Sequence, residues 1–416
     1  MTPATSDRSL PPVSSASLGR SLHSSRDRRH GVLLIAAAIA CGWTGWSGEI
    51  LLLPVAMFFP ALWAHAPSRL AAAAVSAGYF LAASRGLPQG VAIFFAADLW
   101  AGLLLWLAAS TSFVSVHAVL WPMRRDDGRP GRGSAVRYLA ATVLMALPPF
   151  GITGWAQPLT AAGVLFPAWG WWGLAAAAAG LSIMTSRYWP AAAITLACFW
   201  LWSAATWTPP APPHGWRGVD LHHGASLGRD GSLDRHRDLI ATVRRQASAG
   251  GRVIVLPESA LGFWTPTVAW LWQDGLRDVA ATVVAGAAVV YGSGYDNVIV
   301  AISAGEARIL YRERMPVPVS MWQPWRAWTG SVGGARAHMF ANPVVDVAGA
   351  RIAPLICYEQ LILWPVLQSM LHQPDIVVAA GNGWWAAGNP IIEVQRASAV
   401  AWAKLFGLAL VLSINT

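Results

Sequence analysis

The sequence is poor in charged residues, in cysteine and above all in lysine. Only 12% of its 416 residues are charged, about half of the share in an ordinary soluble domain. Its three cysteines, Cys41, Cys198 and Cys357, are too few for a disulfide-stapled fold. Arginine carries nearly all of the positive charge, since Lys404 is the single lysine. The histidine pair His222-His223 has no partner at a metal-ligand spacing, so we predict no metal site and no cofactor.

The shortage of charge is confined to the first half of the chain. Residues 1–209 carry thirteen arginines and only six acidic residues, whereas residues 210–416 carry sixteen basic and fourteen acidic residues. Long apolar stretches recur in the first half at lengths close to the ~20 residues that a bilayer-spanning helix needs. We therefore predict a multispanning α-helical membrane domain over residues 31–208, followed by a water-facing domain.

We predict about seven membrane-spanning helices, over residues 31–47, 50–66, 70–84, 90–110, 138–156, 160–184 and 189–208. Residues 91–123 are ambiguous, because they fit one long tilted helix or a helix followed by a re-entrant or interfacial piece. A single crossing there, with the N-terminus inside, places twelve arginines on the cytoplasmic side and only Arg85 opposite. Residues after about 209 then face the periplasm of a Gram-negative inner membrane. Asp98 falls within a predicted crossing. A carboxylate there has either a functional role or a structural one, in which it packs against another helix.

Three shorter features complete the domain organisation. Residues 1–30 are rich in Ser, Arg and Pro, which predicts a disordered basic cytoplasmic tail. Residues 209–215 are rich in proline, which predicts a stiff linker. Residues 216–416 alternate apolar strands with helical segments, the pattern of an α/β layered domain. The excess arginine lies in the tail and loops, where membrane orientation explains it, so we predict no direct binding of nucleic acid.

Two apolar runs of the second domain end in reactive side chains. Ile352-Ala353-Pro354-Leu355-Ile356 is followed by Cys357, and Val253-Ile254-Val255-Leu256 is followed by Pro257-Glu258. A cysteine nucleophile needs a base nearby, because the thiolate is the reactive form and an unperturbed thiol is mostly protonated at neutral pH. The structural alternative is a small buried cysteine and a solvated carboxylate at a strand end.

These runs resemble the motifs of the nitrilase, or carbon-nitrogen hydrolase, superfamily. Leu256-Pro257-Glu258-Ser259, residues 311–318, Ile356-Cys357-Tyr358-Glu359 and residues 381–385 followed by Gln395-Arg396 occur in the order typical of that superfamily. The branch most similar is apolipoprotein N-acyltransferase, and within it the chain most resembles proteins of plasmid conjugal transfer. The resemblance implies a nitrilase-like αββα sandwich over residues 216–416, behind the membrane domain.

The resemblance also implies a Glu-Lys-Cys triad, of which one member is missing here. Glu258 corresponds to the general base and Cys357 to the residue that forms the acyl thioester. The lysine that stabilises the oxyanion corresponds to Glu313 in Tyr311-Arg312-Glu313-Arg314. The neighbouring motif residues Tyr358, Glu359, Asn382, Trp384 and Trp385 are expected to line the pocket, although a Gly-rich turn over the core explains residues 381–385 equally well.

Two interpretations of the missing lysine remain open at this stage. Arg314 or Arg312 substitutes for it by pointing into the pocket, in which case Glu313 faces the opposite side of the strand. Alternatively, Glu313 faces the pocket, raises the cysteine pKa and repels the oxyanion, which indicates lost or altered catalysis. The six tryptophans at 264, 270, 272, 322, 325 and 328 likewise suit either a membrane interface or the core.

The sequence therefore predicts one of two functions. The first is a membrane-bound acyltransferase or amidase acting through a Cys357 thioester, with membrane lipid as the acyl donor implied by the resemblance. Its partner would be a lipoprotein or a component of the conjugation machinery. The second is a catalytically impaired nitrilase-fold scaffold of that machinery. The residues do not identify the acyl acceptor or the oligomeric state.

Overall fold

The computed structural model describes residues 15–122 and 133–416, and the described part of the first half is helical. Short 3-10 turns connect several of its helices, notably at Ile50–Phe58, Phe150–Thr153 and Pro158–Ala161. The helices are α1 (Ser15–Gly45), α2 (Phe59–Ala64), α3 (Arg69–Ala83), α4 (Leu87–Phe95), α5 (Leu99–Leu120), α6 (Ser134–Ala146), α7 (Ala162–Leu165), α8 (Gly170–Met184) and α9 (Trp189–Ala205).

Several predicted segments differ from these helices. Residues 15–30 belong to α1 and are helical rather than disordered, while residues 1–14 of the predicted tail lie outside the described residues. Residues 90–110 are not one helix, because Ala96 adopts a left-handed backbone with φ of 47° and separates α4 from α5. Asp98 is consequently the N-cap residue of α5 and not an intrahelical carboxylate. Proline explains two further breaks, at Pro148-Pro149 after α6 and at Pro167 before α8.

Few of the described helices meet the length expected of a membrane span. Among the described residues, α5 alone is long and apolar enough, and α3 with α4 qualifies as a second span only if the 53° bend between them is counted within it. The apolar helices at residues 50–64, 134–146, 170–184 and 189–205 are shorter. The basic loop at residues 123–132, on which the predicted orientation partly depends, lies outside the described residues.

The second half contains two β-sheets. Their strands are β1 (Trp216–Gly218), β2 (Val253–Val255), β3 (Thr282–Tyr291), β4 (Gly294–Ile302), β5 (Ala307–Arg312), β6 (Val345–Val347), β7 (Ala350–Ile356), β8 (Ile376–Asn382) and β9 (Ala409–Asn415). The first sheet has the order β1 to β5, with β1, β2 and β3 parallel, β4 antiparallel to β3 and β5 antiparallel to β4. The second has the order β6 to β9, with β7, β8 and β9 parallel and β6 antiparallel to β7.

The two sheets pack face to face between two layers of helices, α10 (Leu233–Ser248) with α11 (Pro266–Gly275) and α12 (Leu363–Met370) with α13 (Ile391–Phe406). Side-chain alternation along the strands builds these layers. Val284 and Ile299 pack against the second sheet, whereas Val283 and Val298 pack towards α10 and α11. This arrangement is the predicted αββα sandwich, and it brings the ends of β2 and β7 to the same region.

The helical half contacts the sandwich through α13. Gly163 of α7 lies so close to this helix that a Cβ atom would come within 1.8 Å of the Ala401 carbonyl oxygen, so only glycine fits. The Ala168 N–H donates to the Lys404 carbonyl oxygen at 2.7 Å. Buried residues of the helical half, of α13 and of the second sheet form one continuous apolar cluster. The helices are thus packed directly behind the sheet that carries Cys357.

The tryptophans of the second domain divide between core and surface. Trp272 is fully buried against α10, whereas Trp270 and Trp328 have 63% and 85% of their surface exposed. Core packing therefore explains Trp272 but not the exposed members of the set.

Candidate active site

Cys357 follows β7 directly and begins a short 3-10 turn, Cys357–Gln360. Its backbone has φ of 44°, a left-handed conformation that is strained for a non-glycine residue and is frequent at functional sites. The turn is held by two buried amides: Gln395 donates to the Cys357 carbonyl oxygen at 2.6 Å, and Gln360 donates to the Leu355 and Ala380 carbonyl oxygens. The thiol is therefore held rigidly at the end of the strand, with only 5% of the residue exposed.

Glu258 occupies the corresponding position after β2. Ser259 next to it also has positive φ, 64°, and the loop passes so close to β3 that a Cβ at Gly286 would lie 2.5 Å from the Glu258 Cα. The carboxyl group of Glu258 is buried, and the Cys357 thiol lies beside it, close enough for each group to shift the pKa of the other. The Asn382 backbone N–H lowers the pKa of both groups. The structure thus brings together the two residues that the motifs pair.

Glu313, at the position expected for lysine, faces the same region. One amide nitrogen, Asn297 Nδ2 of β4, donates to Glu258 Oε1 at 2.7 Å and to Glu313 Oε2 at 2.8 Å. Glu313 is fully buried, and its other oxygen, Oε1, has no hydrogen-bond partner in the described structure. The site is therefore a thiol beside two carboxyl groups that share one amide.

Burial and mutual repulsion keep these three groups protonated to different extents. Burial raises the pKa of Glu258 to about 7, so that it can take and return a proton near neutrality. Burial, and then the charges of Glu258 and Glu359, raise the pKa of Glu313 well above its usual value. Burial, Glu258 and Glu313 raise the pKa of the Cys357 thiol as well. The thiol is consequently protonated at neutral pH.

Neither arginine beside Glu313 takes the place of the lysine. Arg312 donates to Asp296 at 2.9 Å, together with Arg336 and His338, on the outer side of β4. The expectation that Arg314 points into the pocket is wrong. Its guanidinium is fully buried elsewhere and donates to the Tyr311 hydroxyl and to the carbonyl oxygens of Pro354 and Pro365. The second arrangement applies, in which Glu313 faces the cysteine and both arginines face away.

The remaining predicted pocket residues differ in location. Tyr358, Asn382, Trp384 and Trp385 line a cavity beside Cys357. Glu359 does not line it, because its carboxylate is turned inward and accepts hydrogen bonds from Tyr311, Arg314 and the Ile356 N–H. Glu359 therefore holds the Cys357 turn and the segment after β5 together.

The cavity has a volume of about 480 Å³ and connects the site with the helical half. Its lining is mostly apolar, and α4 and α5 contribute Val91, Phe94, Leu105 and Ala108. Among the described residues that line it, Glu258 and Arg229 are the only charged ones. A volume of this size suits a small ligand or one chain of a larger amphiphile.

Two residues of this region are missing from the sequence-based prediction. Asn297 has a detectable signal, because Asp296-Asn297 interrupts an otherwise apolar strand. Arg229 lies in an irregular loop without any pattern, and only the tertiary structure brings it to the cavity. The described residues contain no cluster of three or more His, Cys, Asp or Glu side chains arranged to hold a metal ion.

The model of the carbon-nitrogen hydrolase family matches residues 81–404. The chain belongs to the carbon-nitrogen hydrolase family. It is 67% identical over 99% of its length to the conjugal transfer protein TraB of Agrobacterium fabrum, of which it covers 99%. It is 62% identical over 94% of its length to a probable TraB of Sinorhizobium fredii, of which it covers 100%. These relatives confirm the predicted resemblance to conjugal transfer proteins.

Solved carbon-nitrogen hydrolases are more distant. An amidase from Nesterenkonia is 12% identical to this chain, with a TM-score of 0.34. The match covers 48% of this chain and 74% of the amidase. A carbon-nitrogen hydrolase from Helicobacter pylori is 13% identical, with a TM-score of 0.36 and coverage of 48% and 73%.

Proposed function

We propose that the protein is a membrane-embedded acyltransferase of plasmid conjugation, which forms a thioester on Cys357. The observation that carries this proposal is the apolar cavity that extends from α4 and α5 to a thiol beside a buried carboxyl group, Cys357 and Glu258, both of which line it. An apolar chain can lie in such a cavity while its acyl carbonyl reaches the sulfur. Membrane lipid, the donor that the family resemblance implies, presents chains of this kind.

In the proposed reaction, Glu258 accepts the Cys357 proton while the sulfur attacks the acyl carbonyl carbon. The ester oxygen of the donor leaves and takes that proton from Glu258, so that a thioester and an alcohol are formed. An amine then attacks the thioester and gives an amide and the free thiol. A water molecule in its place would give a carboxylic acid, which is the amidase-type outcome.

The test of this proposal is covalent labelling of the full chain in an uncharged detergent with an alkyne-tagged acyl ester. We expect one label that hydroxylamine releases, as a thioester requires, and that Cys357→Ala eliminates. Cys198→Ala is the matched control, because Cys198 is an exposed free thiol on α9. A wild-type chain without label, or a label that survives Cys357→Ala, would contradict the proposal.

The membrane part of the proposal gives a second prediction. Twelve arginines against one favour an internal N-terminus and a periplasmic second domain. Alkaline phosphatase fused after Pro213 is therefore expected to be active, since it folds only where disulfides form. A green fluorescent protein fused at the same point should stay dark, and the reverse pair of results would refute this orientation.

A specific observation favours a second candidate function, a nitrilase-fold scaffold without catalysis. Glu313 puts a carboxyl group where the family places a cation, and a missing oxyanion donor typically costs a hundredfold to a thousandfold in rate. A scaffold predicts that Cys357→Ala supports conjugation at the wild-type frequency. An acyltransferase predicts that this substitution abolishes conjugation while the protein remains folded in the membrane.

A further inference from the structure

Arg229 is the single cationic side chain among the described residues that line the cavity. It is exposed to solvent, so it lies where the cavity opens. Its guanidinium carbon lies 4.6 Å from the ring centroid of Trp384, and this ring stacks on Phe94 of α4 at 5.7 Å. Arg229 is thereby positioned at the junction between the helical half and the sandwich.

Within residues 15–122 and 133–416, the guanidinium of Arg229 lies over the Trp384 ring and makes neither a hydrogen bond nor an ion pair with a protein group. Its N–H groups face solvent, because the residue is exposed. The adjacent Asp230 does not neutralise it, because that carboxylate accepts from the Ser232 N–H and pairs with Arg235. A guanidinium stacked on an aromatic ring keeps its in-plane N–H groups free, and these match the paired oxygens of an oxyanion.

The loop that carries Arg229 is packed directly on the active site. Gly228 has φ of 76°, and a Cβ there would lie 2.7 Å from the Ser259 carbonyl oxygen. Gly262 of the same loop as Ser259 packs less tightly on Gly228, since a Cβ there would lie 3.2 Å from the Gly228 carbonyl oxygen. The Gly228 contact leaves no room for a side chain, so the backbone next to Arg229 is held against the loop of Glu258.

We propose that Arg229 binds the phosphate group of an anionic amphiphile whose apolar chain occupies the cavity. The proposal rests on the proposed acyl transfer, since it assigns the polar end of the donor. A bidentate contact fixes the donor at its headgroup, while α4 and α5 surround the chain. Free inorganic phosphate has the same chemistry but lacks the chain, so the two ligands differ in whether the apolar lining contributes.

The experiment measures binding by calorimetry to the full chain carrying Cys357→Ala, in an uncharged detergent, so that no acyl transfer occurs. The ligands are dioctanoylphosphatidylglycerol, dioctanoylglycerol without phosphate, and inorganic phosphate. We expect Arg229→Gln to weaken binding of the phospholipid by about tenfold to a hundredfold and to leave dioctanoylglycerol unaffected. The matched control is Arg237→Gln, which removes the same charge from an exposed pair with Asp234 on α10.

Equal losses in the two variants, or none in Arg229→Gln, would overturn the assignment. Inorganic phosphate that binds as tightly as the phospholipid, and depends on Arg229, would also overturn it in favour of a free-phosphate site. Failure of the proposed function is a separate result. The proposed function fails if Cys357 acquires no acyl label. The Arg229 assignment is judged by binding alone: it holds if the phospholipid binds through its phosphate and Arg229→Gln loses that binding, whatever the labelling result.

Discussion

The variant Glu313→Lys is expected to accelerate acylation of Cys357 by about a hundredfold to a thousandfold. Asn297 Nδ2 donates to Glu313 Oε2 at 2.8 Å and so holds the Glu313 carboxyl group beside Glu258. Burial, and then the charge of Glu258, raise the pKa of Glu313. A carboxyl group there has no positive charge with which to stabilise an oxyanion. A lysine ammonium would supply one and would lower the pKa of the neighbouring thiol. The measurement is the initial rate of hydroxylamine-sensitive labelling in detergent.

The comparison that interprets this result is Glu313→Gln. Glutamine removes the carboxyl group without adding a cation, so it isolates the relief of repulsion, for which we expect only a few-fold change. Thermal unfolding of both variants checks that the buried site tolerates the substitution. Equal rates for Lys and Gln would mean that a cation at this position contributes nothing. In that case the acyltransferase proposal would lack a means of stabilising its oxyanion, and the scaffold would be favoured.

Removal of the base is expected to have the opposite effect. Glu258→Gln keeps an acceptor for the Asn297 amide but cannot take the thiol proton, so we expect the acylation rate to fall by about a hundredfold to ten-thousandfold. The pH profile provides an independent readout. Because the pKa of Glu258 is raised to about 7, its ionised fraction grows with pH and the wild-type rate should rise towards a plateau above 7.

The Gln variant should lose that rise in rate around neutral pH. Glu306→Gln is the control, because Glu306 is an exposed carboxylate that pairs with Arg308 at the surface and lies outside the cavity lining. A Glu258→Gln variant that retains both the wild-type rate and the rise around pH 7 would assign the proton acceptor to another group.

The strand ends with their reactive residues are readable from sequence alone. Apolar runs bounded by polar motifs predicted β2 and β7 within one or two residues, and alternating segments predicted the layered domain. These signals are local, since side-chain polarity along a strand reports directly which residues are buried. The order of the Glu and Cys motifs likewise identified the family, because it does not depend on how the chain packs.

Other features depend on where distant segments meet. The sequence placed Glu313 at the lysine position but left open whether it or Arg314 faces Cys357. Tertiary hydrogen bonds decide which way the two side chains point. Asn297 donates to the Glu313 carboxyl group, whereas the Arg314 guanidinium donates to the Tyr311 hydroxyl and to two backbone carbonyl oxygens. The helix bounds differed for a similar reason, since composition measures how apolar a stretch is and not where its backbone turns, as at Ala96.

The sequence by itself thus determined the nitrilase-like fold of the second domain, the family and the pairing of Cys357 with Glu258. Only the tertiary structure decided that none of the described residues places a cation next to Cys357, that the cavity reaches α4 and α5, and that Arg229 lies at the opening. The physical reason is that local patterns encode burial within each element. The charge around a buried atom is the sum over groups that approach from several elements, and no single stretch of sequence contains that sum.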